Sequence, residues 1–431
     1  MTTSTRPTLA AQLSHKRLEV ALLVCAGAIY FFAYFQRVAV PGQLFNELQA
    51  AFRLDAGAVT ALGAIYLYIY GGMQLFAGLM NDRLGANRVL LLGGLLLGIG
   101  SILFPLAPSY PLLVAARALV GLGSSLIYIS LVKALATLFS PRHFAPLLSL
   151  VMFAGTLGGL AGTLPVKWLA GLWGWRAPLL GAGILCIVAF LGTALSAARA
   201  PRPVLEATPL LPTLRAVLRN RPAWPLLFTG PVNFAIYFLL QTIIGVKFLR
   251  DVAGIPESLA STFTFIMMLV NMSIVLSGGF LVERFGRRRK PFIVLGVGCL
   301  LLGALLLHVG LRLSLPAGWF LGCYILLALS SFASPVGNVL MREMNPTRTI
   351  GTAIGILNGL CYLGVAALAS AAGALMDRFV AGARVTAAAI VYPREAYLAI
   401  FLLCAVLAAA ALVSALLLRE TYGETVAEDA A

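Results

Sequence analysis

Gly78-Leu79-Met80-Asn81-Asp82-Arg83-Leu84-Gly85-Ala86-Asn87-Arg88 returns later in the chain as Gly279-Phe280-Leu281-Val282-Glu283-Arg284-Phe285-Gly286-Arg287-Arg288-Arg289. In both copies a glycine-ended apolar run meets an acid, an arginine, a glycine and further base, and a new apolar run begins. Gly78 and Gly279, Asp82 and Glu283, and Gly85 and Gly286 each stand 201 positions apart. That spacing points to a duplicated membrane protein with one copy of the loop per half. Gly78 permits two helices to approach closely. Asp82 sets a carboxylate where the N-terminal end of a neighbouring helix is stabilised by it, and Arg83 and Arg88 can pair with acids and hold this side of a membrane. The alternative for a single copy, a basic loop that only fixes topology, is the lesser reading, and two copies in register weigh further against it.

Composition agrees. Hydrophobic residues make up 61% of the chain and charged residues 11%, against roughly 25% charged in soluble domains. The net charge of +16 does not indicate nucleic acid, because the bases sit in short loops between apolar runs and form no basic face with stacking aromatics. Runs of about 20 apolar residues each suffice to cross a bilayer as a helix. Twelve are expected, at about 18–44, 57–80, 89–108, 111–138, 146–169, 177–198, 223–248, 257–282, 291–312, 317–341, 349–375 and 396–418. If the N-terminus lies inside, 19 Lys/Arg fall in cytoplasmic segments, 6 in outer segments and 6 within spans. The inside-positive bias then puts both termini in the cytoplasm, in a bacterial inner membrane. Trp168, Trp173, Trp175, Trp224 and Trp319 fall at expected interfaces, as an aromatic belt requires. The basic patch His15-Lys16-Arg17 precedes a run read as a retained first span.

Residues 199–222 are the one long polar break, interrupted by Pro201, Pro203, Pro209 and Pro212. Within it Thr213–Arg219 reads as a short surface helix with its bases toward anionic lipid. The chain so divides into a six-helix half at 1–198, a cytoplasmic loop at 199–222, a second six-helix half at 223–418 and a disordered tail at 419–431. The six cysteines lie in apolar runs without a CxxC pair and read as packing residues. No metal cluster, nucleophile triad or nucleotide loop is recognisable, so neither an enzyme nor a cofactor is expected.

The pattern Gly-x-x-x-Asp-Arg-x-Gly-x-x-Arg at 78–88 resembles the signature loop of the major facilitator superfamily. The resemblance implies an all-α membrane protein, twelve transmembrane helices in two pseudo-symmetric halves, working by alternating access and as a monomer. It also implies that the loop is a latch between the halves, formed by Gly78, Asp82, Arg83, Gly85 and Arg88 and by Gly279, Glu283, Arg284 and Gly286 in the second copy.

In duplicated carriers the solute site lies near the bilayer midplane, and each ionisable residue inside a span is a candidate for it. Lys167 and Arg312 end their spans and read as snorkelling anchors. There remain Arg37, Arg117, Lys133 and Lys247, with no acid in mid-membrane; Glu19 and Glu257 sit at span ends. A cavity lined by cations favours an anionic solute. Tyr30, Tyr34 and Arg37 share a helix face, and a guanidinium suits bidentate recognition of carboxylate or phosphate. Tyr34-Phe35-Gln36-Arg37 resembles the first-span Tyr-x-x-Arg of organophosphate and organic-anion carriers, which implies that Arg37 contacts the anionic group; the alternative is an arginine snorkelling to headgroups.

Arg117 opens Arg117-Ala118-Leu119-Val120-Gly121, similar to the fourth-span Arg-x-x-x-Gly of many members, and is either a solute contact or a clamp between helices. Lys133, 16 residues on, points about 160° away and is near enough to the end of its span to snorkel. Lys247 reads as a snorkelling residue. Tyr66, Tyr70 and Gln74, then Asn233, Tyr237 and Gln241, and finally Asn358 and Tyr362 form polar stripes, as suited to interhelical bonding as to ligand contact. Gly155–Gly162 is a small-residue packing face. Gln36 and Gly123–Leu126 stand where proton-coupled organic-anion carriers have an acid, and Gln241 where organophosphate carriers have a second cation, which argues against proton symport and a sugar phosphate. His308 reads as a packing residue. The expected function is transport of an organic anion or carboxylate-bearing metabolite by exchange or facilitated diffusion. The rivals are an exporter of hydrophobic or drug-like compounds and a non-transporting receptor or assembly subunit.

Overall fold

The computed structural model describes residues 9–138, 141–197, 210–286, 288–346, 349–386, 389–422 and 424. The first half consists of α1 (Leu9–Ala39), a short α2 (Phe45–Phe52), α3 (Ala56–Leu84), α4 (Ala86–Leu106), α5 (Tyr110–Leu138), α6 (Pro141–Ala161), α7 (Leu164–Trp173) and α8 (Arg176–Ala197). A surface helix, α9 (Leu210–Arg219), leads to the second half: α10 (Trp224–Thr242), α11 (Gly245–Asp251), α12 (Glu257–Arg284), α13 (Lys290–Arg312), α14 (Ala317–Leu329), α15 (Ala333–Glu343), α16 (Ile350–Arg378) and α17 (Arg394–Leu416). Between α16 and α17 lies a small hairpin of β1 (Arg384–Val385) and β2 (Ile390–Val391).

Eleven helical stretches are long and apolar enough to cross a membrane, and α6 with α7 makes the twelfth, bent by 45°. The bend has a local cause: Pro165 sits in the first turn of α7, where its missing N–H costs nothing and its ring cannot continue the helix before it. The twelve spans match those expected from the apolar runs.

The repeated loop folds alike in both copies at its turn. Gly85 and Gly286 both have positive φ, 86° and 72°, a conformation that costs glycine nothing and other residues dearly. Beyond the turn the copies diverge. Arg289 is buried and donates to Glu343 at 3.0 Å, and the Glu420 carboxylate accepts from the backbone N–H of Arg289 and Lys290 at 2.6 and 3.0 Å. Arg83, Arg88 and Arg284 are exposed, while the side chains of Asp82 and Glu283, and residue Gly279, lie outside the described set. Glu420 thus corrects the expectation of a tail disordered from 419 onward: its start caps α13.

Gly155–Gly162 packs on the first span, as its composition predicts. A Cβ at Gly158 would lie against the Phe31 carbonyl oxygen, and one at Gly162 would be 2.8 Å from that of Phe35. Across the halves, α3 and α16 run side by side, and at Gly71 and Gly359 their backbones nearly touch, with a Cβ on Gly71 only 2.9 Å from the Gly359 carbonyl oxygen. Trp168, Trp173 and Trp224 are exposed, but Trp175 is buried, edge-on to Phe52 and Phe104 and beneath Arg176. Trp175 therefore belongs to the core and not to the expected belt.

Candidate functional site

The basic loops define one side of the molecule, the basic side, and the opposite side is distal to them. Arg37 occupies the last turn of α1, where a helix end favours a cation. It does not snorkel: 3% of it is exposed. Its Nε donates to the Tyr66 hydroxyl at 3.2 Å and its Nη1 to the Tyr362 hydroxyl at 2.6 Å. The guanidinium carbon lies 4.4 Å from the Tyr34 ring centre, 4.5 Å from that of Tyr70 and 4.9 Å from that of Tyr362. Tyr66 and Tyr70 lie on α3 about 15 and 21 Å from its distal end, roughly halfway down a helix of 29 residues.

Further rings extend this cage. Tyr30 packs edge-on against Tyr34 and stacks on Tyr128, with centroids 5.0 and 5.8 Å apart. Tyr362 meets Tyr70 at 4.3 Å and Phe234 at 5.2 Å, with Phe238 beyond. One turn toward the basic side, Asn358 donates to Gln74 across the halves at 3.4 Å. The first-span face and the α3 and α16 stripes therefore converge on one place. No carboxylate pairs with Arg37 among the described residues. A guanidinium has five N–H donors, so this one keeps donors to offer.

The α10 stripe is turned partly away. Asn233 donates to the Ser330 carbonyl at 3.2 Å and Gln241 to that of Thr264 at 3.1 Å. The Tyr237 hydroxyl and the side-chain oxygens of Asn233 and Gln241 are buried without a protein partner. Lys133 is half-buried on α5, five residues beyond Tyr128.

Arg117 takes the clamp role of its two expected alternatives. Its three nitrogens donate to the carbonyls of Leu62 at 3.2 Å, Gln36 at 3.1 Å and Val40 at 3.0 Å. The Gln36 carbonyl is one of the last four of α1, which lack intrahelical donors. Arg117 also lies 4.7 Å from the Tyr66 ring, so it braces from behind the residue that holds Arg37 Nε. Its donors are committed to backbone and leave little for a solute.

Two other lysines correct the sequence reading. Lys247 is fully buried on α11, paired with Asp251 at 2.8 Å and bonded to the Ile390 carbonyl. Asp251 accepts in addition from Tyr392 N–H at 3.0 Å and Tyr397 hydroxyl at 2.7 Å. Burial pushes the Asp251 carboxyl above its ordinary range, against the opposing pull of the Lys247 ammonium. Lys167 is not a headgroup anchor either: its ammonium pairs with Glu47 of α2 and with Glu257 of α12 in the other half. Arg250 completes the chain to Glu257 at 2.7 Å, and beside it Gln43 donates to the Thr264 hydroxyl at 2.9 Å. Ala56 N–H donates to the Tyr392 hydroxyl at 2.8 Å, again between halves. These contacts close the distal seam over the Arg37 cage. His308 does pack as expected, with Nδ1 3.2 Å from the Leu398 carbonyl.

Tyr128, Phe234 and Phe238 escaped the sequence reading. Tyr128 was open to the same helix arithmetic that separated Arg117 from Lys133, since eleven residues bring it within about 20° of Arg117. The two phenylalanines adjoin the Asn233, Tyr237 and Gln241 stripe but carry no polar group that marks them in an apolar run.

The model described as Major Facilitator Superfamily matches residues 23–369 and 278–430. Multidrug resistance protein D of Escherichia coli (strain K12) is 25% identical over 379 residues, 82% of this chain and 87% of that protein. A chloramphenicol resistance protein of Pseudomonas aeruginosa is 27% identical over 57% of this chain and 58% of its own length. The crystal structure of a bacterial homolog to the human lysosomal transporter Spinster, inward-facing and unoccupied, superposes with a TM-score of 0.74 at 16% identity, covering 93% of this chain and 98% of that one. That likeness concerns the fold alone.

Proposed function

The chain belongs to the major facilitator superfamily, a family of membrane transporters, and on that premise we propose that its solute is an organic anion with an aromatic or apolar body. One observation carries this reading: Arg37 is a buried cation with tyrosine hydroxyls and rings about it and, among the described residues, no carboxylate to balance it. A buried charge without a counter-charge is costly. A carboxylate or phosphonate on Nη1 and Nη2 supplies the missing charge in the geometry that a guanidinium recognises best. Tyr34, Tyr70, Phe234 and Phe238 supply the walls for an apolar body.

If the basic side is cytoplasmic, as the base distribution favours, the closed distal seam makes this an inward-facing arrangement. Gln74 and Asn358 stand on the cytoplasmic approach to the cage.

A second reading, export of neutral or drug-like compounds, has support of another kind. Two relatives are named for resistance, to multiple drugs and to chloramphenicol, and the aromatic walls suit apolar solutes as well. Arg37 distinguishes the two readings. Thermal-shift measurements on the purified protein test it with aryl carboxylates, phosphonates, neutral aromatics and cationic dyes, since a ligand of the folded state raises Tm by mass action. Stabilisation by anions alone, absent in Arg37→Ala, supports the anion reading. Stabilisation by neutral or cationic compounds that survives the substitution replaces it with the exporter.

A further inference from the structure

We propose that the Tyr362 hydroxyl is a stand-in for the solute's anionic group, holding Arg37 while the site is empty and so letting the unloaded carrier change sides. The transport mode that follows is net flux and not obligatory exchange. This rests on Arg37 being the anion site.

The two hydroxyls on Arg37 are not equivalent. Tyr66 belongs to the same half as Arg37 and its bond is 3.2 Å long, whereas Tyr362 belongs to the other half and its bond is 2.6 Å long. Tyr362 is 5% exposed, and Tyr70, Phe234 and Phe238 fix its ring from three sides. Its hydroxyl is therefore held in place at Nη1. An anionic group that takes the Nη1 N–H now given to Tyr362 must displace this oxygen, so solute and Tyr362 compete for that donor. Binding breaks a bond between the halves, and release restores it.

The position suits a contact that persists through the cycle. Tyr362 is three residues from Gly359, where α3 and α16 approach backbone to backbone. When packed halves rock against each other, atoms near their closest approach move least. A carrier whose site charge has no partner meets a high barrier on the empty return, because the closed intermediate excludes the water that would solvate it. Here the charge-assisted bond to Tyr362 and three ring faces lower that barrier. No acid lines the cage among the described residues, so the empty return needs neither a proton nor a second solute to neutralise Arg37.

Tyr362→Phe tests this, since it removes the hydroxyl and keeps the ring and its packing. The first arm uses no ligand. Fluorophores at Ala51→Cys and Ser258→Cys, exposed positions on opposite sides of the distal seam, report opening by single-molecule energy transfer in a background without native cysteines and in anion-poor buffer. The wild type should interconvert between distal-open and distal-closed states, and Tyr362→Phe should do so about tenfold more slowly, the effect of one charge-assisted bond. The second arm uses benzoate. The variant should bind it roughly tenfold more tightly, its competitor being gone, and should exchange benzoate across vesicles faster than it releases it into empty buffer, while the wild type does both at similar rates. Equal interconversion in wild type and variant overturns the proposal, whatever benzoate does. Failure of benzoate and other anions to bind the wild type instead removes the anion reading on which the proposal rests.

Discussion

Replacing Lys167 by methionine keeps the length of the side chain, removes its charge and leaves Glu47 and Glu257 facing each other across the distal seam. The lysine side chain is 11% exposed and the two glutamates 26% and 29%, so solvent screens these pairs. Each is then worth about 0.5–1 kcal/mol, near the upper end for partly exposed ion pairs. Only the Glu257 pair crosses the halves directly; Lys167 also offsets Glu47, whose second carboxylate oxygen is buried without a partner. Losing the Glu257 pair and leaving Glu47 to repel Glu257 across the seam should together shift the balance toward the distal-open state by about 1.5 kcal/mol, a roughly tenfold change in population. Ser261, fully buried one turn beyond Glu257 on the same helix, reports this. In a background lacking native cysteines, Ser261→Cys should react with a membrane-impermeant maleimide about tenfold faster when Lys167→Met is present, and the excess should disappear with Lys167→Arg. High salt should raise the wild-type rate toward that of the variant. Equal labelling with and without the Lys167 charge would show that the ion pairs do not hold the seam.

Arg117→Ala should lower Tm by roughly 5–10 °C, because three backbone carbonyls lose a charged donor at a cost of about 3 kcal/mol, and Arg117→Lys should recover less than half, an ammonium being unable to span the three acceptors. Gly158→Ala should cost about 2–3 kcal/mol in a detergent thermal melt, since its methyl must push α6 away from the Phe31 carbonyl; a melt unchanged from the wild type would mean that the two spans are less tightly packed than described.

The span pattern was legible because each helix must present an unbroken apolar run to lipid, and the 201-residue spacing because the loop glycines serve one backbone conformation twice. Tyr34 with Arg37, and Tyr66 with Tyr70, were legible for a geometric reason: residues three, four or seven apart on one helix share a face. What joined these faces was not. Tyr362 meets Arg37 across 325 positions, and no local periodicity carries that distance. Arg117 bonds carbonyls, groups that every residue has and that leave no mark in a sequence. Lys167 read as an anchor because its two acids lie on distant elements, one 120 positions away. Lys247 read as snorkelling because its partner Asp251 stood beyond the end of the apolar run, and only the fold turns that acid inward.

Uptake into proteoliposomes tests the central claim most directly, using the anion that stabilises the purified protein and comparing the wild type with Arg37→Ala and Arg37→Lys. The site geometry predicts concentrative or downhill uptake by the wild type, none above background by Arg37→Ala and weakened uptake by Arg37→Lys, with both variants melting within a few degrees of the wild type. Undiminished uptake by a folded Arg37→Ala would contradict it, and would place the solute's anionic group somewhere other than the tyrosine cage.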